Sequence, residues 1–110
     1  MIDDTIAKIE ARIASADSIK DERRRELLEL LHTLKSEVEN LPEHQREHAE
    51  SIAAFADVSA HEATRTEQNP KLLGLSLEGL KSSVDELEGS HPQLVQVVNA
   101  ISRTLANLGI

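Results

Sequence analysis

Apolar residues recur along this chain at alternating steps of four and three, the spacing that lines one side of an α-helix. Ile2, Ile6, Ile9 and Ile13 form the first such row, with Asp3 and Asp4 at the end where the helix dipole favours acids, and predict a helix over 3–15. The stretch "SADS" follows, and Ser18 with Asp21 reads as a capping-box-like start for a second helix over 19–40. That helix carries Leu27, Leu30, Leu31, Leu34, Val38 and Leu41 in the same rhythm, and Pro42 stops it. Because Ile13, Ala16, Lys20, Arg23 and Leu27 keep the register, residues 3–40 also admit one continuous helix of about 55 Å. A hairpin is preferred, since the long helix would seat Lys20 and Arg23 on its apolar side.

The segment 43–66 differs in kind. Ala49, Ala53, Ala56, Ala60 and Ala63 repeat at helical spacing, while Ile52, Phe55 and Val58 are its only bulky apolar residues. It predicts a helix that approaches a neighbour closely, buries little area and is the least stable and most mobile element. Residues 67–75 read as a loop, interrupted by Pro70 and Gly74. Leu73, Leu77, Leu80, Val84 and Leu87 set up a fourth helix, predicted over 76–88, with Ser76 as cap and Gly89 ending it in a left-handed conformation. "SHPQ" opens a fifth helix over 92–108, with Ser90 or His91 as cap, Pro92 in its first turn and Gly109 closing it. The tight link makes helices four and five an antiparallel hairpin.

The fifth helix poses the main question of the pattern. Residues 89–110 carry one charged side chain, Arg103, in a chain that is 29% charged. Leu94, Val98, Ile101, Leu105 and Leu108 form one seam, and Val95 and Val97 widen it beyond half the circumference. An arc that wide is covered by several neighbours. Either the helix is the centre of a monomeric bundle, or part of the arc meets the same surface on a second copy.

Composition narrows the classes. The 110 residues suit one domain, about 13 Å in radius of gyration when compact. Thirty-one Leu, Ile, Val, Met or Phe residues suffice for one core, and with a single aromatic, Phe55, the composition disfavours a sheet. The absence of Cys removes disulfides and thiolate chemistry and points to a reducing compartment, the cytoplasm. The start "MIDDTIAKIEARI" has acids where a signal peptide needs bases, and no apolar run is long enough to span a membrane. The net charge of −8 is spread along the chain and would repel bare nucleic acid.

The stretches "IAKIEARIASADSIKDERRRELLELLHTLKSEVENL" at 6–41 and "SLEGLKSSVDELEGSHPQLVQVVNAISRTLANLGI" at 76–110 resemble a family of short bacterial proteins catalogued as domain of unknown function 4404. Its members close with a Ser-His-Pro step, an apolar helix and a terminal Gly-Ile. Against the shorter members, residues 42–72 look like an extension. The resemblance implies an all-α fold, singles out His91, and carries over no catalytic residue.

Few constellations could hold chemistry. His44 and His48 lie four apart, with Glu43 and Glu47 beside them, and two imidazoles at that spacing can reach one metal ion. A tight site needs a further donor, and His61 is about 20 Å along the same helix, so another helix or another copy would have to supply it. Glu29 and His32 have the i, i+3 spacing of carboxylate-bridged di-iron bundles, but only one helical copy exists; Glu88 and His91 share it across Gly89. "RRR" at 23–25, flanked by Asp21, Glu22 and Glu26, reads as a solvated helix face. Phosphate loops, nucleophile elbows and Cys clusters are absent from the sequence.

Together these features predict an all-α protein: a small antiparallel bundle of four to five helices in one domain over 1–110, completed by dimerisation. The expected role is a non-enzymatic, cofactor-free, self-associating interaction module, with Leu94, Val98, Ile101, Leu105 and Leu108 at the contact. Neither nucleic acid nor membrane is an expected partner. A metal-binding bundle using His44 and His48 is the alternative, and an acidic regulator that masks a basic surface is a third reading.

Overall fold

The row of isoleucines winds as its spacing predicts. In a computed structural model that describes residues 2–108, α1 spans Ile2–Ser15 and buries Ile6, Ile9 and Ile13 completely or nearly so. The helix α2 spans Asp21–Glu39 and buries Leu27, Leu31, Leu34 and Val38. A single 3-10 turn, Glu43–Gln45, leads into α3, Arg46–Thr64. Then come α4, Pro70–Ser82, a second 3-10 turn, Asp85–Leu87, and α5, Pro92–Leu108. No strand occurs among the described residues.

The helices pack in a ring, α1 to α2 to α5 to α4 to α3 and back to α1, with α3 also touching α5 across it. One continuous core runs through all five. The radius of gyration is 13.0 Å, as expected for a single compact domain of this length.

The chain bends at 16–20, so α1 and α2 form the hairpin and not the long helix. Its turn is built differently from the expected capping box. Lys20 occupies the N-cap position with no side-chain bond, and Ser18 is exposed. The turn is held from inside α2: Arg24 donates Nε to the Ile13 carbonyl at 3.3 Å and Nη2 to the carbonyls of Ala16 and of Ile19, the latter at 2.9 Å. Its Nη1 meets Asp21 Oδ1 at 2.7 Å. A charged donor thus serves one open carbonyl at the end of α1 and two in the turn, and Ile19 is buried beneath. Of the "RRR" run, Arg23 and Arg25 are the solvated face that the sequence suggests, and Arg24 is not.

The helix α3 also departs from expectation. Ala49, Ala53, Ala56, Ala60 and Ala63 are buried, as are Ile52 and Ser59, and it packs on α1, α4 and α5. Small side chains let these backbones come close, so the larger residues of the neighbours fill the space. Ile9, Ile13, Leu27, Leu31, Ile101 and Leu105 meet Ala56 and Ala60 around a void of only about 10 Å³. The helix expected to bury little is central to the bundle.

The fourth helix begins six residues before its predicted start. Asn69 Oδ1 accepts the Leu72 N–H at 3.2 Å and Pro70 sits in the first turn, a cap and first-turn pair that outweighs Gly74. Ser76, expected as the cap, is buried mid-helix and donates to the Leu73 carbonyl at 2.8 Å. Gln68 Nε2 ties the short link to two helix ends, reaching the carbonyls of Ala63 at 2.8 Å and Leu108 at 3.3 Å. At the far end α4 stops at Ser82, and Gly89 does not take a positive φ. The chain keeps winding in tight turns instead, with N–H to carbonyl bonds three residues back from Leu87 to Val84 at 2.9 Å and from Ser90 to Leu87 at 3.2 Å, and four back from His91 to Leu87 at 2.7 Å. The right-handed turns themselves absorb the open carbonyls, so no left-handed cap is needed. Gly109, the expected end of α5, lies outside the described residues.

Candidate functional site

The apolar seam of α5 is consumed within the chain. Leu94, Val98, Ile101 and Leu105 are at most 2% exposed, and Leu108 is half-buried. The helices α2, α3 and α4 cover the arc, and Thr104 adds a polar stitch to Glu26 of α2 at 3.5 Å. The seam is filled within one chain: each buried Leu contributes about 1.5–3 kcal/mol to this fold, and Leu94, Val98, Ile101 and Leu105 present no surface to a second copy.

What remains exposed lies elsewhere. Among the described residues, the four large apolar side chains left open to solvent are Phe55 (39%), Val58 (48%), Leu72 (42%) and Leu75 (54%). All belong to α3 and α4. These two helices run antiparallel, joined by residues 65–69 and packed along their length. The Phe55 ring lies directly over Gly79, where a Cβ would overlap it, so the ring keeps this seat only over a glycine. Val58 is one turn on from Phe55, and Leu75 and Leu72 are one and two turns back from Gly79. In an antiparallel pair both steps lead the same way along the groove, and the four side chains form one patch. Ser51, Ala54 and Ser82, all exposed, border it without charge.

The histidine pair of the metal reading is divided by environment. His44 is exposed in the 3-10 turn, whereas half-buried His48 turns its Nε2 to Glu86 Oε2, 3.5 Å away beyond α4. No group of three or more His, Cys, Asp or Glu residues able to hold a metal ion occurs among the described residues. Glu29 and His32 both face solvent on α2. His91 supplies α5 with its carbonyl, which accepts the Val95 N–H at 3.3 Å, while its ring Nε2 lies 3.0 Å from Gln45 Oε1 and ties α5 to the start of α3.

Polar contacts also join α1 to α3: Lys8 with Asp57 at 3.6 Å, and Arg12 Nη1 donating to His61 Nδ1 at 3.3 Å. Glu62 is nearly buried and pairs with Arg65 at 2.9 Å. An open groove of about 330 Å³ lies where Ile2 meets Val38, Leu41 and Pro42, edged by Asp3, Glu39, Glu43 and Arg46. No described helix is long and apolar enough to cross a membrane.

The model of a family described as Domain of unknown function (DUF4404) matches residues 27–110. The match runs through 42–72, the stretch read from the sequence as an extension, and leaves out α1. No curated protein and no solved structure matches the chain.

Proposed function

The chain belongs to the DUF4404 family, whose model covers about three quarters of it, and from that premise we propose that it is a non-enzymatic helical interaction module. It acts by presenting the α3–α4 face to a protein partner. The observation that carries this reading is the clustering of Phe55, Val58, Leu72 and Leu75 in one patch while every other large apolar side chain described is at least partly buried. Single exposed apolar residues are ordinary, but a contiguous group marks an association surface. The α5 seam, expected at the contact, instead builds the platform from which α4 displays Leu72 and Leu75.

The test is the native size of the tagged chain in an extract of its own cells. Wild type elutes above its monomer mass, and Leu72→Lys with Leu75→Lys elutes as a monomer while keeping its helical circular dichroism. A wild-type chain that elutes as a monomer in the extract would overturn the reading.

A further inference from the structure

We infer that the occupant of the α3–α4 face is a second copy of this chain, docked antiparallel across a two-fold axis that passes by Leu75. The inference rests on reading that face as an association surface and goes further by naming the partner and its register.

Area argues for it first. The exposed parts of Phe55, Val58, Leu72 and Leu75 amount to roughly 350 Å² of apolar surface, within the range of the largest patches on monomers. Covered by its own image, the patch removes roughly 700 Å² from water. Interfaces are about 60% apolar, so the whole contact comes to roughly 1,200 Å², the lower end of stable protein interfaces.

Charge argues for it next. A chain of net charge −8 repels its copy at long range, so a self-contact needs a face where charge is absent or self-complementary. The centre of the patch is uncharged. The charged side chains of α4 beside Leu75 are Lys71, four residues before it, and Glu78, three after, both exposed. Helical spacing places both on the solvent side of α4, along the patch edge towards α5. A two-fold axis at Leu75 sets each residue opposite the one equally far on the other side. Glu78 therefore meets the partner's Leu72, and the partner's Lys71 is the next residue along. Two symmetric Lys–Glu pairs then flank the apolar centre. The ring of Phe55, seated over Gly79, extends the apolar floor towards α3.

The experiment uses the full chain and light scattering coupled to size exclusion from 1 to 200 µM. Wild type reaches twice the monomer mass within that range, and Leu75→Lys stays monomeric with a melting temperature within about 2 °C of wild type, since the side chain is already exposed. Lys71→Glu and Glu78→Lys each weaken the dimer about tenfold alone. Mixed, they form a heterodimer tighter than either homodimer, because one chain then carries two acids along this edge and the other carries two bases, so both flanking pairs are restored. A wild type monomeric at 200 µM overturns the self-partner, and if it still elutes above monomer mass in extract, the interaction reading stands without it. A dimer indifferent to Leu75→Lys overturns the surface, and failure of the mixed pair to form overturns the register.

Discussion

Replacing Arg24 by Ala removes the charged donor that closes the α1–α2 turn. In the folded chain this guanidinium serves three carbonyls, those of Ile13, Ala16 and Ile19, and holds Asp21 at 2.7 Å. Hydrogen bonds from a charged group contribute about 1.5–3 kcal/mol each when water is excluded. The side chain keeps 21% of its exposure, so water replaces part of what is lost and the total falls to about 2–3 kcal/mol. With an unfolding entropy of about 2.1 cal/mol/K per residue, a domain of this size loses roughly 10 °C in Tm. Thermal unfolding followed by circular dichroism at 222 nm reads the shift, with Arg23→Ala and Arg25→Ala as neighbours of equal charge on the exposed face. Those two move Tm by no more than about 2 °C. Arg24→Lys keeps the charge but cannot reach three carbonyls from one ammonium, and falls between. If Arg24→Ala melts with Arg25→Ala, the turn is not held by this side chain and the account of the bend is wrong.

Asn69→Ala removes the cap on the Leu72 N–H and costs about 1 kcal/mol, a fall of some 4 °C that Asn69→Asp does not produce. Leu105→Ala, in the α5 seam, destabilises by about 2–5 kcal/mol in urea denaturation; a cost below about 1 kcal/mol would show that this side chain is not in the core. Ala60→Leu costs about 1–3 kcal/mol by overpacking, since the void beside it is far smaller than the added carbons; a neutral result would mean that α3 does not approach its neighbours closely. Zinc added to the purified chain leaves Tm unchanged, because His48 faces Glu86 while His44 stands in solvent; a rise with micromolar zinc that is lost in His44→Ala would reinstate the paired histidines as ligands.

The legible part of this fold is whatever a helix decides locally. The rows Ile2 to Ile13 and Leu27 to Val38, and the Pro92 start of α5, depend on spacing and on one or two neighbours along the chain, and all three appear where the sequence puts them. The Asn69–Pro70 start of α4 is equally local, yet Gly74 hides it by looking like a break, although a glycine inside a helix costs only about 1 kcal/mol. Arg24 is illegible for a different reason. Its partners are carbonyls, which every residue has, so nothing in "RRR" distinguishes the middle arginine from its neighbours until the bend of α1 is known.

The candidate surface turns on the same distinction. Counting apolar residues on α5 measures how much that helix must bury but not what covers it, and α2, α3 and α4 cover it within one chain. On α3 the count misleads in the opposite sense. Bulk suggests that Phe55 and Val58 face inward, yet close helix approach selects the side of the alanines and Ile52 for the core and turns Phe55 and Val58 outward. An apolar residue is therefore buried here only where the backbone separation leaves room for it. Ala49 to Ala63 mark the narrow side of α3, so Phe55 and Val58 fall on the open side beside α4, where Gly79 gives the ring a seat and Leu72 and Leu75 continue the patch. A surface of this kind becomes visible only when two helices are set side by side, because neither carries enough of it alone.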